Sequence, residues 1–175
     1  VAGGIIIIFS SRAGYALARN KSKLCGIILL VFVGAMLIPF KSVMLPLVSI
    51  FGKADMLNKT GLIFMYLGFG SSLSIFLYHG AMTGISKSLD EAAIIDGANK
   101  FQVFWYIILP LLKPISVTVG ILNVIWIWND YLLPSLILSD SSATIPLKMF
   151  LFFGQYTKQW HLALAGLTIA IIPVI

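Results

Sequence analysis

Charge is what this sequence has least of. Asp, Glu, Lys and Arg make up 10% of its 175 residues, against about 25% in soluble domains. With a hydrophobic fraction of 59% and a mean hydropathy of +1.02, this excludes an ordinary soluble domain and points to an integral membrane protein. Cysteine is nearly absent: Cys25 stands alone, so no disulfide can form within the chain. Acidic residues number six, and none lies near the centre of an apolar run. That argues against a proton- or sodium-coupled transporter, which needs an ionisable group inside the membrane. The phosphate-loop pattern G-x-x-x-x-G-K-[ST] is missing, since Gly52-Lys53 is followed by Ala54. The chain is therefore not expected to bind ATP. His79 and His161 are isolated and form no metal-binding spacing with Cys25, so both read as interfacial side chains. The net charge of +6 is no signature of nucleic acid, because in a membrane protein the positions of Lys and Arg carry the information.

What remains is apolar. Crossing the hydrocarbon core takes about 20 mostly apolar residues, and five runs are candidates: residues 1–18, 24–40, 61–82, 115–133, and one starting near 162. No basic region precedes the first, so it does not read as a signal peptide. A chain that opens in one apolar run and closes in another reads as a fragment of a longer one. Polar connectors fall at 19–23, 41–60, 84–113 and 134–161. Within 41–60, "VMLPLVSIF" is too short to span and reads as interfacial. Crossings alternate sides, so 19–23 and 84–113 share one. Arg19, Lys21 and Lys23 are packed into five residues, and short basic loops of this kind face the cytoplasm. Arg12 lies two helical turns deeper than Arg19, where it either snorkels to the headgroups or makes a polar contact inside a bundle. Gly80 and Gly84 have the G-x-x-x-G spacing of close helix packing.

The connector around Ser88–Pro114, "SLDEAAIIDGANKFQVFWYIILPLLKP", is too patterned for a loose loop. Asp90, Glu91, Asp96 and Lys100 would together cost roughly 10–14 kcal/mol at mid-bilayer, at about 2.5–3.5 kcal/mol each, so the segment stays outside the hydrocarbon. Ser88 and Glu91 have capping-box spacing and predict a helix start. Asp90 and Glu91 fall in its first turn, where the helix dipole favours negative charge. Gly97 predicts its end. Ala92, Ala93 and Gly97 give it a nearly side-chain-free patch. Asn99 predicts a second N-cap, and Phe101, Phe104, Trp105 and Ile108 share one face of the helix that follows. Pro110 limits that helix. Two readings stand at this point: an amphipathic hairpin lying on lipid, or a docking element for a cytosolic protein.

The spacing Glu91-Ala92-Ala93, three residues, Gly97, nine residues, Ile107-Ile108-Leu109-Pro110 resembles the EAA loop of membrane subunits from binding-protein-dependent ABC importers. "GYALAR" (14–19), "WNDYLLP" (128–134) and "FGQYTKQWHLALAG" (153–166) resemble the carbohydrate branch, of maltose-permease type. The resemblance covers essentially the whole chain. It implies an all-α, polytopic transmembrane helical bundle of the MetI-like, type I importer fold, with about five of six spans present. Residues 1–175 would be one permease domain, truncated at both ends, with residues 84–113 as its cytoplasmic coupling loop. The resemblance implies a sugar importer permease in a bacterial-type plasma membrane, with other solutes (amino acids, metals, phosphonates) as the alternative and a secondary transporter as a remoter one. Its partners would be a second homologous permease, a pair of ATPase subunits, an extracytoplasmic solute-binding protein and membrane lipid, with no nucleic acid. ATP and magnesium would belong to the ATPase, leaving this chain without catalytic residues, cofactor or metal. By the same resemblance Glu91 is a charge partner for a basic residue of the ATPase. Ala92 and Ala93 allow close approach, the Asp96-Gly97-Ala98 corner turns the chain, and Ile107, Leu109 and Pro110 anchor its return to the membrane.

A second polar cluster, Trp126, Trp128, Asn129, Asp130 and Tyr131, ends the fourth run. It reads as an aromatic belt with a polar cap or as a sugar contact in the pathway.

Overall fold

In the computed structural model, residues 1–20, 22–138, 144–151 and 160–171 are described. Among them the regular structure is entirely helical. Helix α1 (Ala2–Arg19) contains four consecutive isoleucines, a run that favours strands in water. In lipid a helix satisfies every backbone group internally, and that requirement outweighs propensity. Helix α2 (Lys23–Met36) starts at Ser22, whose hydroxyl accepts the Cys25 N–H at 3.2 Å. Helix α4 (Lys59–Thr83) has 25 residues and would run about 37 Å at 1.5 Å per residue. It is the one described helix long and apolar enough to cross a membrane unaided. The pairs α2 with α3 (Phe40–Lys53), and Lys100–Leu111 with α8 (Lys113–Asn129), meet that test only when each pair is taken together.

Residues 41–60 are mostly helix α3, which runs through Pro46 to Lys53; a helix of 14 residues is still too short to span alone. One expectation needs correction: the fourth run is not continuous. Helix α8 stops at Asn129, and α9 (Leu132–Ile137) follows after Asp130. Helix α10 (Ile145–Leu151) follows, and helix α11 (Trp160–Ile171) covers the described part of the fifth run. Lys21, the "SDSS" of the fourth connector and most of "FGQYTKQW" lie outside the described residues.

The chain forms two compact units: Val1–Phe40 with Met65–Asn123, and Lys41–Phe64 with Val124–Ile175. In the first, α1, α4 and α8 meet on small and polar side chains. A Cβ at Gly14 would lie 2.7 Å from the Tyr78 Cβ, and one at Gly70 would lie 2.5 Å from the Asn123 Oδ1. Only glycine lets these backbones approach so closely. Asn123 is buried and donates from Nδ2 to the Ser74 hydroxyl (3.0 Å) and the Val119 carbonyl (2.9 Å). The expected packing at Gly80 and Gly84 is not found among the described residues. A Cβ at Gly80 would meet nothing within 4 Å, and one at Gly84 would meet only its neighbour Ala81. That pair sits away from the α4 face that carries Ser71, Ser74, Tyr78 and Met82, all buried.

In the second unit Asp130 makes the α8–α9 turn. Its Oδ1 accepts the N–H groups of Leu132 (3.1 Å) and Leu133 (3.4 Å), and Leu133, Pro134 and Ile137 are buried.

Candidate functional site

The patterned connector folds as two arms around a glycine corner, all within the first unit. The first arm is α5 (Ser88–Ile95), with Asp90 and Glu91 in its first turn. The capping box expected at Ser88 and Glu91 does not form. Lys87 already has helical dihedrals, and no side chain caps it. Ser88 is therefore inside the helix, where its hydroxyl cannot serve as N-cap. The Ser86 hydroxyl accepts the Ser88 N–H instead, at 3.2 Å.

The corner forms as the sequence suggests. Asp96 is the C-cap and Gly97 takes φ +89°. The Ala98 N–H bonds to the Ala93 carbonyl (2.9 Å) and the Gly97 N–H to the Ile94 carbonyl (3.0 Å). These two bonds are the Schellman closure of a helix. Asn99 then caps α6 (Lys100–Gln102), accepting from Phe101 and Gln102, while the Gln102 side chain accepts the Asn99 N–H at 2.8 Å.

The second arm departs from the expected single α-helical face. Val103–Ile108 is a π-helix, followed by α7 (Leu109–Leu111). The wider turn brings Val103 inward with Phe104 and Ile108 and leaves Phe101 exposed. Pro110 does not stop the arm. It sits within α7, and the chain breaks at Leu112, with a 75° bend into α8.

The corner is fastened to α1. Arg19 donates from Nε to the Asp90 Oδ2 at 2.7 Å and from Nη2 to Oδ1 at 3.1 Å. Its Nη1 also donates to the Ile85 carbonyl at 2.9 Å. The Tyr15 hydroxyl donates to the Asp90 Oδ2 at 3.2 Å, and Lys87 Nζ donates to the Arg19 carbonyl at 3.3 Å. The two charged side chains are only 14% and 12% exposed, so this is a largely desolvated, two-pronged ion pair. It also holds the end of α1 and the start of α5 together. Charge alone reads Arg19 as an orienting residue and Asp90 as a helix-dipole residue; alternation of spans groups residues 19–23 with 84–113 but pairs no two of them.

This fastening decides which side chains are free. Ala93 is 6% exposed and packs into the cluster of Tyr78, Met82, Val103, Phe104, Ile108, Leu112 and Val119. It is therefore not on an open patch with Ala92. Ala98, Ile107 and Leu109 pack partly against the same cluster, and Pro110 is exposed. The outward face holds Glu91, Ala92, Asp96 and Gly97, with Ile95 at 85% exposure. An isoleucine so exposed beside a backbone free of bulk forms a surface with apolar and acidic character.

Arg12 settles between its two expectations. It is exposed, and its guanidinium lies 5.5 Å from the centre of the Phe101 ring, a cation–π distance. At the second cluster, Trp128 Nε1 donates to the Ala170 carbonyl at 2.9 Å and Asn129 Nδ2 to the Ile125 carbonyl at 2.8 Å. With Asp130 capping α9, the polar groups of Trp128, Asn129 and Asp130 all have structural work. Among the described residues no group of three or more His, Cys, Asp or Glu is placed to hold a metal ion.

Comparison with known proteins agrees with the loop. The chain is 60% identical over 172 residues to the probable starch degradation products transport system permease protein AmyC of Thermoanaerobacterium thermosulfurigenes, covering 98% of this chain and 63% of that one. It is 37% identical over 174 residues to the melibiose/raffinose/stachyose import permease protein MelC of Bacillus subtilis, covering 98% and 63%. It is 36% identical over 175 residues to the multiple sugar-binding transport system permease protein MsmG of Streptococcus mutans, covering 97% and 63%. The chain thus spans less than two thirds of the length of these relatives. Residues 7–175 match the model of the binding-protein-dependent transport system inner membrane component, and the chain belongs to that family.

Proposed function

We propose that this chain is part of the permease subunit of an ATP-driven, binding-protein-dependent sugar importer in a bacterial plasma membrane. The observation that carries the reading is the outward face of α5, with Glu91, Ala92 and Ile95 uncovered on a helix whose other face is fixed by Asp90 and Ala93. A helix merely resting on lipid gains nothing from being clamped from behind. A helix that receives a partner does, because ordering it in advance lowers the cost of binding. The partner is an ATPase subunit whose cleft takes Ile95 and pairs a basic side chain with Glu91. ATP and magnesium belong there, and this chain does no catalysis. A second permease completes the path, and an extracytoplasmic binding protein delivers the solute. The names of the relatives cited support a sugar, and that of AmyC supports starch degradation products as the class. The two compact units together are read as one permease domain, with residues 84–113 and the end of α1 on the cytoplasmic side.

Ala92→Arg and Ile95→Arg test this in the full-length permease. Both project from the free face and leave the Asp90 side untouched. Co-purification of the ATPase with tagged permease should be lost, along with uptake of labelled oligosaccharide, at unchanged permease level in the membrane. Normal co-purification would overturn the docking reading.

A further inference from the structure

Three side chains of α1 lie on one stripe at i, i+3 and i+7: Arg12, Tyr15 and Arg19. Each reaches the loop at a different point. Arg19 holds Asp90 of the first arm through two charge-assisted hydrogen bonds. Arg12 holds Phe101 at the start of the second arm. Tyr15 joins both, with its hydroxyl on Asp90 and its ring 5.5 Å from that of Phe104. The stripe thus grips the loop on both sides of the Gly97 corner. The corner itself has open space around it, since a Cβ at Gly97 would meet nothing within 4 Å.

We infer that Arg12, Tyr15 and Arg19 are positioning residues that make α1 the span to which the loop is mechanically bound. A force applied to the free face of α5 then displaces α1 with it, instead of being absorbed by hinging at Gly97. This rests on the docking reading for the source of the force and adds to it the element that receives the motion. Covalent continuity alone would make α4 and α8 the recipients, because they flank the loop in the chain. The polar contacts add α1, which is separated from Asp90 by 71 residues at Arg19.

The test uses the complete transporter in lipid nanodiscs, with Cys25→Ser as background, and reads ATP hydrolysed per solute carried. Arg19→Ala should raise that ratio about tenfold, within the ordinary range of coupling between sites, in complexes that still hold the ATPase. Tyr15→Phe and Arg12→Ala should raise it less. Arg19→Cys with Asp90→Cys, bridged by a short bis-maleimide, should bring the ratio back towards the starting value. Should Arg19→Ala fail to assemble, restored assembly and a restored ratio in the bridged pair support the inference. An unbridged Arg19→Ala complex with an unchanged ratio overturns it, as does a bridged pair that stays uncoupled. The ratio is read only where the ATPase is bound, so failure here is distinct from failure of docking, which appears as intact ATPase binding in Ala92→Arg and Ile95→Arg.

Discussion

Two polar clusters stand out in this apolar chain, and they spend their polar atoms differently. At the α8–α9 turn, Asn129 bonds four residues back and Asp130 caps two and three residues ahead. Trp128 reaches further, to Ala170. Around α5 the reach is 66 to 75 residues, from Arg19 to Ile85 and Asp90 and from Tyr15 to Asp90. Local bonds end helices, whereas distant ones hold separate helices in register. The comparison separates a polar cluster that shapes its own turn from one that ties a loop to a remote span.

The sharpest way to break the contrast is to remove Asp90. Asp90→Ala leaves the Arg19 guanidinium largely buried with carbonyls alone, and losing one partner of such a pair costs about 3–5 kcal/mol. Limited proteolysis of purified permease should then cut within residues 84–100 while the remaining spans stay protected. Gly97→Val comes next, because a β-branched residue at positive φ is strained by roughly 1–3 kcal/mol. It should lower thermal stability measurably and loosen ATPase association without affecting membrane insertion. The smallest effect belongs to the local cluster. Asp130→Ala removes two hydrogen bonds of the α8–α9 turn, so its thermal midpoint should drop slightly and uptake should persist. Uptake abolished by Asp130→Ala at normal stability would mean that this cluster touches the solute path and that the contrast is drawn wrongly.

The residues explain why some of this was legible in advance. Gly97 and Asn99 act through their own backbone and the next few residues, so their spacing gave both the corner and the second start. Helix α4 was legible because a long apolar run has one solution in lipid. The Arg19–Asp90 pair was not, because nothing in a linear sequence marks two polar residues as lying at the same depth on facing helices. Ala93 was misplaced for the same reason. Composition showed that it was small, but only the direction of the Asp90 anchor showed which way it faced. The second arm was misread because Phe101, Phe104, Trp105 and Ile108 fit an ordinary helical period, and a π-turn leaves no mark in that pattern.

The π-turn at Val103–Ile108 also bears on how the loop's length is fixed. Each residue added to or removed from a helix rotates everything beyond it by about 100°. Between the Gly97 corner and the Leu112 bend the chain works as a count of teeth on a gear. One residue fewer would return the turn to a plain helix and present α8 with the wrong flank, moving Val119 and Asn123 off the seam they share with α4. The side chains that pack or cap in this interval, Asn99, Val103, Phe104 and Ile108 among them, are constrained in kind, and their number is constrained as well. The nine positions between Gly97 and Ile107 therefore also carry information as a distance.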